Sequence, residues 1–324
     1  MKNKVLKSLG PFLPFLVVFV MCSCSKERFD VLKKEDPEAV KVAEKAADEL
    51  KLKAIAAPPI TLFMKWKKKP VKATLKLKPD STVKCEGGTS LQFMPNTFVD
   101  ENGRVVQYPV DLEIIELLTP KDMITNQMPT VSDKRLLVTG GEINIKAFKD
   151  NQSLTVVPGG YSVIISADSV DTRMSIFYGK ESKGIVNWVP SDSSGAPKDS
   201  VSQILFRQKA YQMFPRELGW INCDRFYDFQ GAKTNVKFVS EFPNISYIYT
   251  FMYFDRIKSL AQVYGDISLP VPVGEHVKIV SIAATSELTI FAFIKEYIVE
   301  ANQVVEIKLT KIEEEELMKL LDKF

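Results

Sequence analysis

The chain has 324 residues, 45% hydrophobic and 26% charged, enough to bury a substantial core and of a length that usually divides into two domains. Its 43 basic and 40 acidic residues give a net charge of +3, but Lys2, Lys4 and Lys7 supply that whole excess, and the chain from residue 24 onward is balanced. Such balance argues against a general nucleic-acid binder, in which basic residues must neutralise many phosphates.

The first 23 residues carry those three lysines and an apolar run from Leu9 to Met21, interrupted by Pro11 and Pro14. The run is short for a membrane-spanning helix, which needs about 20 residues. Its length and flanks are those of an export signal, so residues 1–23 are expected to be removed. The run ends in Phe19-Val-Met-Cys-Ser-Cys-Ser-Lys-Glu27. Cys24 follows the small Ser23 and Cys22 follows the bulky Met21, which makes Cys24 the expected lipidation site, with Cys22 as the alternative. The stretch resembles a bacterial lipoprotein box, which implies an acylated cysteine and a palmitate-bearing membrane tether.

Residues 24–69 read as a tether and helical spacer. Asp36-Pro-Glu38 offers a cap followed by a proline suited to the first helical turn, and the helix formers after it continue until Pro58-Pro59. Lys65, Lys67, Lys68 and Lys69 surround Trp66, a pattern that fits contact with anionic lipid headgroups or an edge strand protected by lysines.

From Val71 the period becomes two, with Val71, Ala73, Leu75 and Leu77 on one face. Strands are expected at 90–94, 110–115, 135–139, 142–148 and 161–166, with a turn at 99–105 and a short helix at 120–126. Gly87-Gly88, Gly140-Gly141 and Gly159-Gly160 lack the P-loop pattern and read as bends or bulges. Asp100-Glu-Asn-Gly103 is too short to be an EF-hand loop and reads as a tight turn. This places a β domain at 70–190 and a linker at 191–200, within the loop-like PSDSSGAPKDS that starts at Pro190. A second β domain at 201–324 follows, with strands at 244–254, 276–281, 288–295 and 304–309 and a C-terminal helix. The fold class is mainly β: two antiparallel β-sandwich-like domains, an N-terminal helical spacer and a short C-terminal helix.

Gly219-Trp-Ile-Asn-Cys-Asp-Arg-Phe226 is the densest chemical cluster, and Trp220, Asn222, Cys223, Asp224 and Arg225 are its binding or structural candidates. Cys223 could act as a nucleophile only if His276, the sole histidine, met it in space. Packing and strand-end hydrogen bonds are the more economical roles. No G-x-S-x-G elbow occurs, and one histidine excludes a multi-histidine metal site, so no cofactor and no catalytic residue is assigned.

Gly87-Gly-Thr-Ser-Leu-Gln-Phe-Met-Pro95 and Phe98-Val-Asp-Glu-Asn-Gly103 resemble the opening of ZU5-like β-sandwich modules, which implies protein binding or interdomain packing without catalysis. VSDKRLLVTGGEINIKAFKDNQSLTVVPGG and GWINCDRF resemble an uncharacterised group of Bacteroidota cell-envelope lipoproteins, and CSKE resembles export signals that lead to the outer surface. The resemblance implies an outer-membrane lipoprotein, with an envelope protein or an extracellular glycan or peptide as partner. The expected function is a structural or binding component, with a carboxylate-based glycan or peptide hydrolase as the alternative.

Overall fold

A computed structural model describes residues 37–76, 81–182, 184–193, 203–242 and 244–324. The signal segment, Cys22, Cys24, residues 25–36 of the tether and residues 194–200 of the expected linker lie outside the described residues. The chain divides into two compact units, residues 1–47 and 48–324. In the first, the described part belongs to helix α1 (Pro37–Lys53), and its side chains from Lys41 to Ala47 are exposed. That matches the weak, alanine-rich apolar face of the sequence.

The second unit is mainly β, and its sheets are stacked. The path of the first sheet runs Val71–Leu75, Val110–Leu117, Arg135–Lys149, Gly219–Phe226, Ser175–Ser182 and Ile185–Pro190, antiparallel throughout. The second sheet runs Gln203–Arg207, Ala210–Phe214, Tyr161–Ser166, Ser90–Phe93 and Ser81–Lys84. Residues from these two sheets, among them Leu91, Ile114, Ile145, Val163, Met213 and Ile221, share the first core.

A third sheet runs Ser259–Val263, Tyr249–Phe254, His276–Ala284, Ile290–Ile298 and Thr310–Lys311. Its Phe251, Tyr253, Val280 and Ile282 meet Leu117, Leu137, Phe177 and Trp188 of the first sheet in a second core. Helices α2 (Ile60–Trp66), α3 (Pro120–Asn126) and α4 (Glu314–Leu321) add Leu62, Phe63, Met123, Ile124, Leu317 and Leu321 to it. The opposite face of the third sheet, with Met252, Phe254, Val277 and Ile279, packs in a third core with Phe238, Val305 and Ile55. Alternation explains the division: in Tyr249–Phe254 the odd-numbered Phe251 and Tyr253 face one core, and the even-numbered Met252 and Phe254 face the other.

Two expectations need correction. Strand pairing crosses the 191–200 segment, because Gly219–Phe226 inserts between Arg135–Lys149 and Ser175–Ser182. Residues 203–214 likewise complete the second sheet. The first sandwich therefore runs through Phe226, and its central sheet is shared with the layer that follows. A loop-like composition reports local backbone preference and says nothing about which strands pair on either side of it. The second correction concerns the helical spacer: α1 ends at Lys53, before Pro58-Pro59, and a separate helix forms at Ile60–Trp66, held by burial of Leu62 and Phe63 in the second core.

Gly140 and Gly141 form the expected irregularity: the register against Gly219–Phe226 shifts between Asn222 and Asp224. Residues 244–248 depart from the expected strand, because a 3-10 turn at Ile245–Tyr247 precedes Tyr249–Phe254.

Trp188 is fully buried in the second core, and its indole N–H donates to the Pro129 carbonyl at 2.9 Å. Trp188→Ala removes the largest side chain of that core and orphans the carbonyl. Urea titration should show a loss of about 3–5 kcal/mol. A loss below 1 kcal/mol would show that the second core tolerates a void.

Candidate functional site

A cavity of about 720 Å³ opens where the first sandwich meets the third sheet. Its walls include the 87–89 turn, the start of α3, the bulge at Gly140-Gly141, the end of Tyr161–Ser166 with the residues after it, Lys209 and Tyr211, the 3-10 turn Asp255–Ile257 and Phe324. The 87–89 turn packs closely on the sheet: a Cβ on Gly87 would fall 2.7 Å from Leu118 Cδ1 and 2.9 Å from Glu116 Oε1, so those side chains would have to shift to admit a larger residue. Glu116 accepts the Gly87 and Thr89 N–H groups at 2.8 and 3.1 Å and fixes the turn. Thr89 is then 1% exposed, and its Oγ1 has no hydrogen-bond partner among the described residues.

One rim of the cavity is braced by charge. Asp171 accepts from Arg173 Nη2 at 2.7 Å and from Arg225 Nε at 2.6 Å. Hydrogen bonds from Arg173, with Arg225 in support, hold the Asp171 carboxyl well below the usual carboxylate range. The Asp171 N–H donates to the Tyr211 hydroxyl at 2.8 Å. Lys209, Arg256 and Lys258 also line the cavity and are exposed, while Asp168 is the remaining acid on its wall. Arg256 lies 3.9 Å from Glu275.

The Trp220–Arg225 candidates are brought together in sequence and separated in space by strand alternation. Cys223 enters the first core with Ile221, whereas Trp220 packs against the second. Burial pushes the Cys223 thiol well above its ordinary value, which suppresses the thiolate. His276 has its Nδ1 3.2 Å from Asp255 and its Nε2 3.4 Å from Glu296, so a Cys223–His276 pair is not formed. Cys85 and Cys223 are both free thiols. Arg225 reaches the cavity wall only through its bond to Asp171. Among the described residues, no group of three or more His, Cys, Asp or Glu side chains could hold a metal ion.

Asn222 and Asp224 form a sealed polar seam beside the bulge, and Glu142 lies directly opposite Asn222 across the strand pair. Asn222 Nδ2 donates to Asp224 Oδ2 at 2.6 Å, Thr139 Oγ1 to Asn222 Oδ1 at 3.1 Å, and the Gly141 N–H to Thr139 Oγ1 at 3.1 Å. Glu142, Asn222 and Asp224 are all fully buried. Both Glu142 oxygens and Asp224 Oδ1 are unpartnered among the described residues. Burial raises both carboxyls well above the ordinary range, and for Glu142 the Asp224 charge adds to it. The two acids do not line the cavity, although Thr139, Gly140 and Gly141 do.

The lysine-rich stretch is partly engaged. Lys65 pairs with Glu314, and Trp66 donates its indole N–H to the same carboxylate at 3.1 Å. The Lys68 backbone N–H donates to Asn126 at 3.0 Å, and its Nζ lies 3.5 Å from Asp122. Lys67 and Lys69 are exposed and make no ion pair among the described residues. Trp66 packs edge-on against Phe63, so part of its ring belongs to the second core.

No protein-family model matches the chain, and no curated protein does. A solved structure of gamma-CGTase from the alkalophilic Bacillus clarkii aligns at 12% identity over 74% of this chain and 41% of that one, with a TM-score of 0.17. The alignment therefore spans less than half of that chain, and at this TM-score it carries no argument about fold or function.

Burying two raised carboxyls has a measurable consequence. The folded state keeps protons that the unfolded chain releases, so their contribution is fully present below about pH 4 and is lost as pH rises toward the folded-state values. In that window stability should fall by about 1.4 kcal/mol per pH unit for each retained proton. Glu142→Gln with Asp224→Asn should flatten the profile and raise stability at pH 8. Denaturant titration of both proteins at pH 5 and pH 8 checks this, and equal pH slopes would refute it.

Proposed function

We propose that this protein is a membrane-tethered lipoprotein of the cell envelope that acts as a binding component, with the cavity between the first sandwich and the third sheet as its ligand site. The observation that carries the reading is the cavity itself, whose wall joins the apolar Leu118, Met123 and Ile165 to the cations Lys209, Arg256 and Lys258. A volume of about 720 Å³ is in the range of small-molecule sites. The tether rests on the sequence, where Cys24 directly follows the expected export signal of residues 1–23. Lys67 and Lys69 remain available for contact with anionic headgroups.

A carboxylate hydrolase requires two acids flanking the bond to be cut. On the cavity wall those positions would fall to Asp168 and Asp171, and Asp171 is taken by Arg173 and Arg225. The binding reading requires no such pair.

Two measurements test these proposals. In cells fed labelled palmitate, Cys24→Ser should abolish the label and release the protein from the membrane fraction. Unchanged label and retention would refute the tether. Native mass spectrometry of the full-length protein, released gently from envelopes, should show a bound small molecule at one per chain. The cavity-filling variants Ala167→Trp and Ser169→Trp should both lose it, and retention in both would remove the cavity from the function.

A further inference from the structure

We infer that the cavity takes an anionic amphiphile, a ligand with an apolar body and one negatively charged end. This deepens the binding reading and rests on it. Part of the wall is apolar, with Leu118, Met123, Ile165, Tyr253 and Phe324 contributed by both the first sandwich and the elements beyond it. Such a lining favours burial of hydrocarbon or aromatic surface.

The charge at the mouth is one-sided. Lys209 comes from the turn between two strands of the second sheet, while Arg256 and Lys258 come from the turn after Tyr249–Phe254. Lys209 and Lys258 make no ion pair among the described residues, and Arg256 has only a 3.9 Å approach to Glu275. Of the acids on the wall, Asp171 is neutralised by two arginines, which leaves Asp168 against three cations. Cations arriving from two separate segments at one opening focus a positive potential there. The cavity thus combines exposed cations at its opening with apolar side chains on its wall.

The test uses two probes of the same shape, ionised 4-phenylbutyrate and neutral 4-phenyl-1-butanol, titrated calorimetrically into the full-length protein in a non-ionic detergent. The butyrate should bind about tenfold more tightly at low salt, and 0.5 M NaCl should remove most of that preference. The triple variant K209Q/R256Q/K258Q should bind both probes equally, with the alcohol's affinity unchanged. Circular dichroism of the variant, whose substituted side chains are exposed, confirms that it folds. Equal binding of the two probes to the unaltered protein, or a preference that survives in the triple variant, would overturn the anionic assignment. The ligand site itself would still stand if Ala167→Trp and Ser169→Trp abolished binding of both probes. If neither probe binds, or if both filled variants bind them normally, the inference and the cavity reading fall together.

Discussion

Both faces of the first sheet are covered, and the remaining architecture follows from that constraint. In Arg135–Lys149, Ile143, Ile145 and Ala147 point into the first core, so Glu142 and Asn144 must point toward the second. A sheet with one wet face can place its polar residues there. This sheet has no such face along its centre, so its polar side chains must find each other or remain unpaired. Thr139, Asn222 and Asp224 do find each other, whereas Glu142 does not. Each unpaired buried polar group costs about 1–3 kcal/mol, and two raised carboxyls limit that cost by keeping their protons.

The same place in the sheet borders the cavity. Gly140 and Gly141 break the register against Gly219–Phe226 and also line the opening. Gly141 has φ +131°, and a Cβ there would fall 2.7 Å from Leu118, so the bulge and the cavity wall depend on one tight contact. Natural sheets use bulges to end regular pairing and redirect side chains beside functional sites. Here the bulge separates a sealed acidic seam from an accessible cavity with a cationic mouth. Arg225, through Asp171, is the side chain that links the strand of the seam to the wall of the cavity.

Much of the fold was legible because the strands that build it are strongly periodic. Val110–Leu117 carries alternation that survives without any knowledge of neighbours, and Tyr161–Ser166 and His276–Ala284 are rich in the β-branched residues that strands favour. Thr119 and Pro120 announce α3 through a cap and a proline at its first turn. α2 was hidden because seven residues ending in a lysine run carry little helical signal of their own, and Phe63 and Leu62 are helical through what they pack against. The candidate site was illegible for a similar reason. Thr89, Lys209, Arg256 and Lys258 are unremarkable where they stand in the chain, and the Gly87-Gly88 pair was the one local sign of a close approach.

The sequence by itself determined the mainly β class, the alternation within Val110–Leu117 and the turn at Asp100–Gly103. All of these are written in residues a few positions apart, where backbone sterics and side-chain period act directly. Tertiary structure alone decided that Gly219–Phe226 lies between Arg135–Lys149 and Ser175–Ser182, that the Trp220–Arg225 cluster is divided between two cores, and that cations from distant turns share one opening. Strand order and layer stacking depend on long-range burial, and local periodicity is the same whichever partner a strand finally takes.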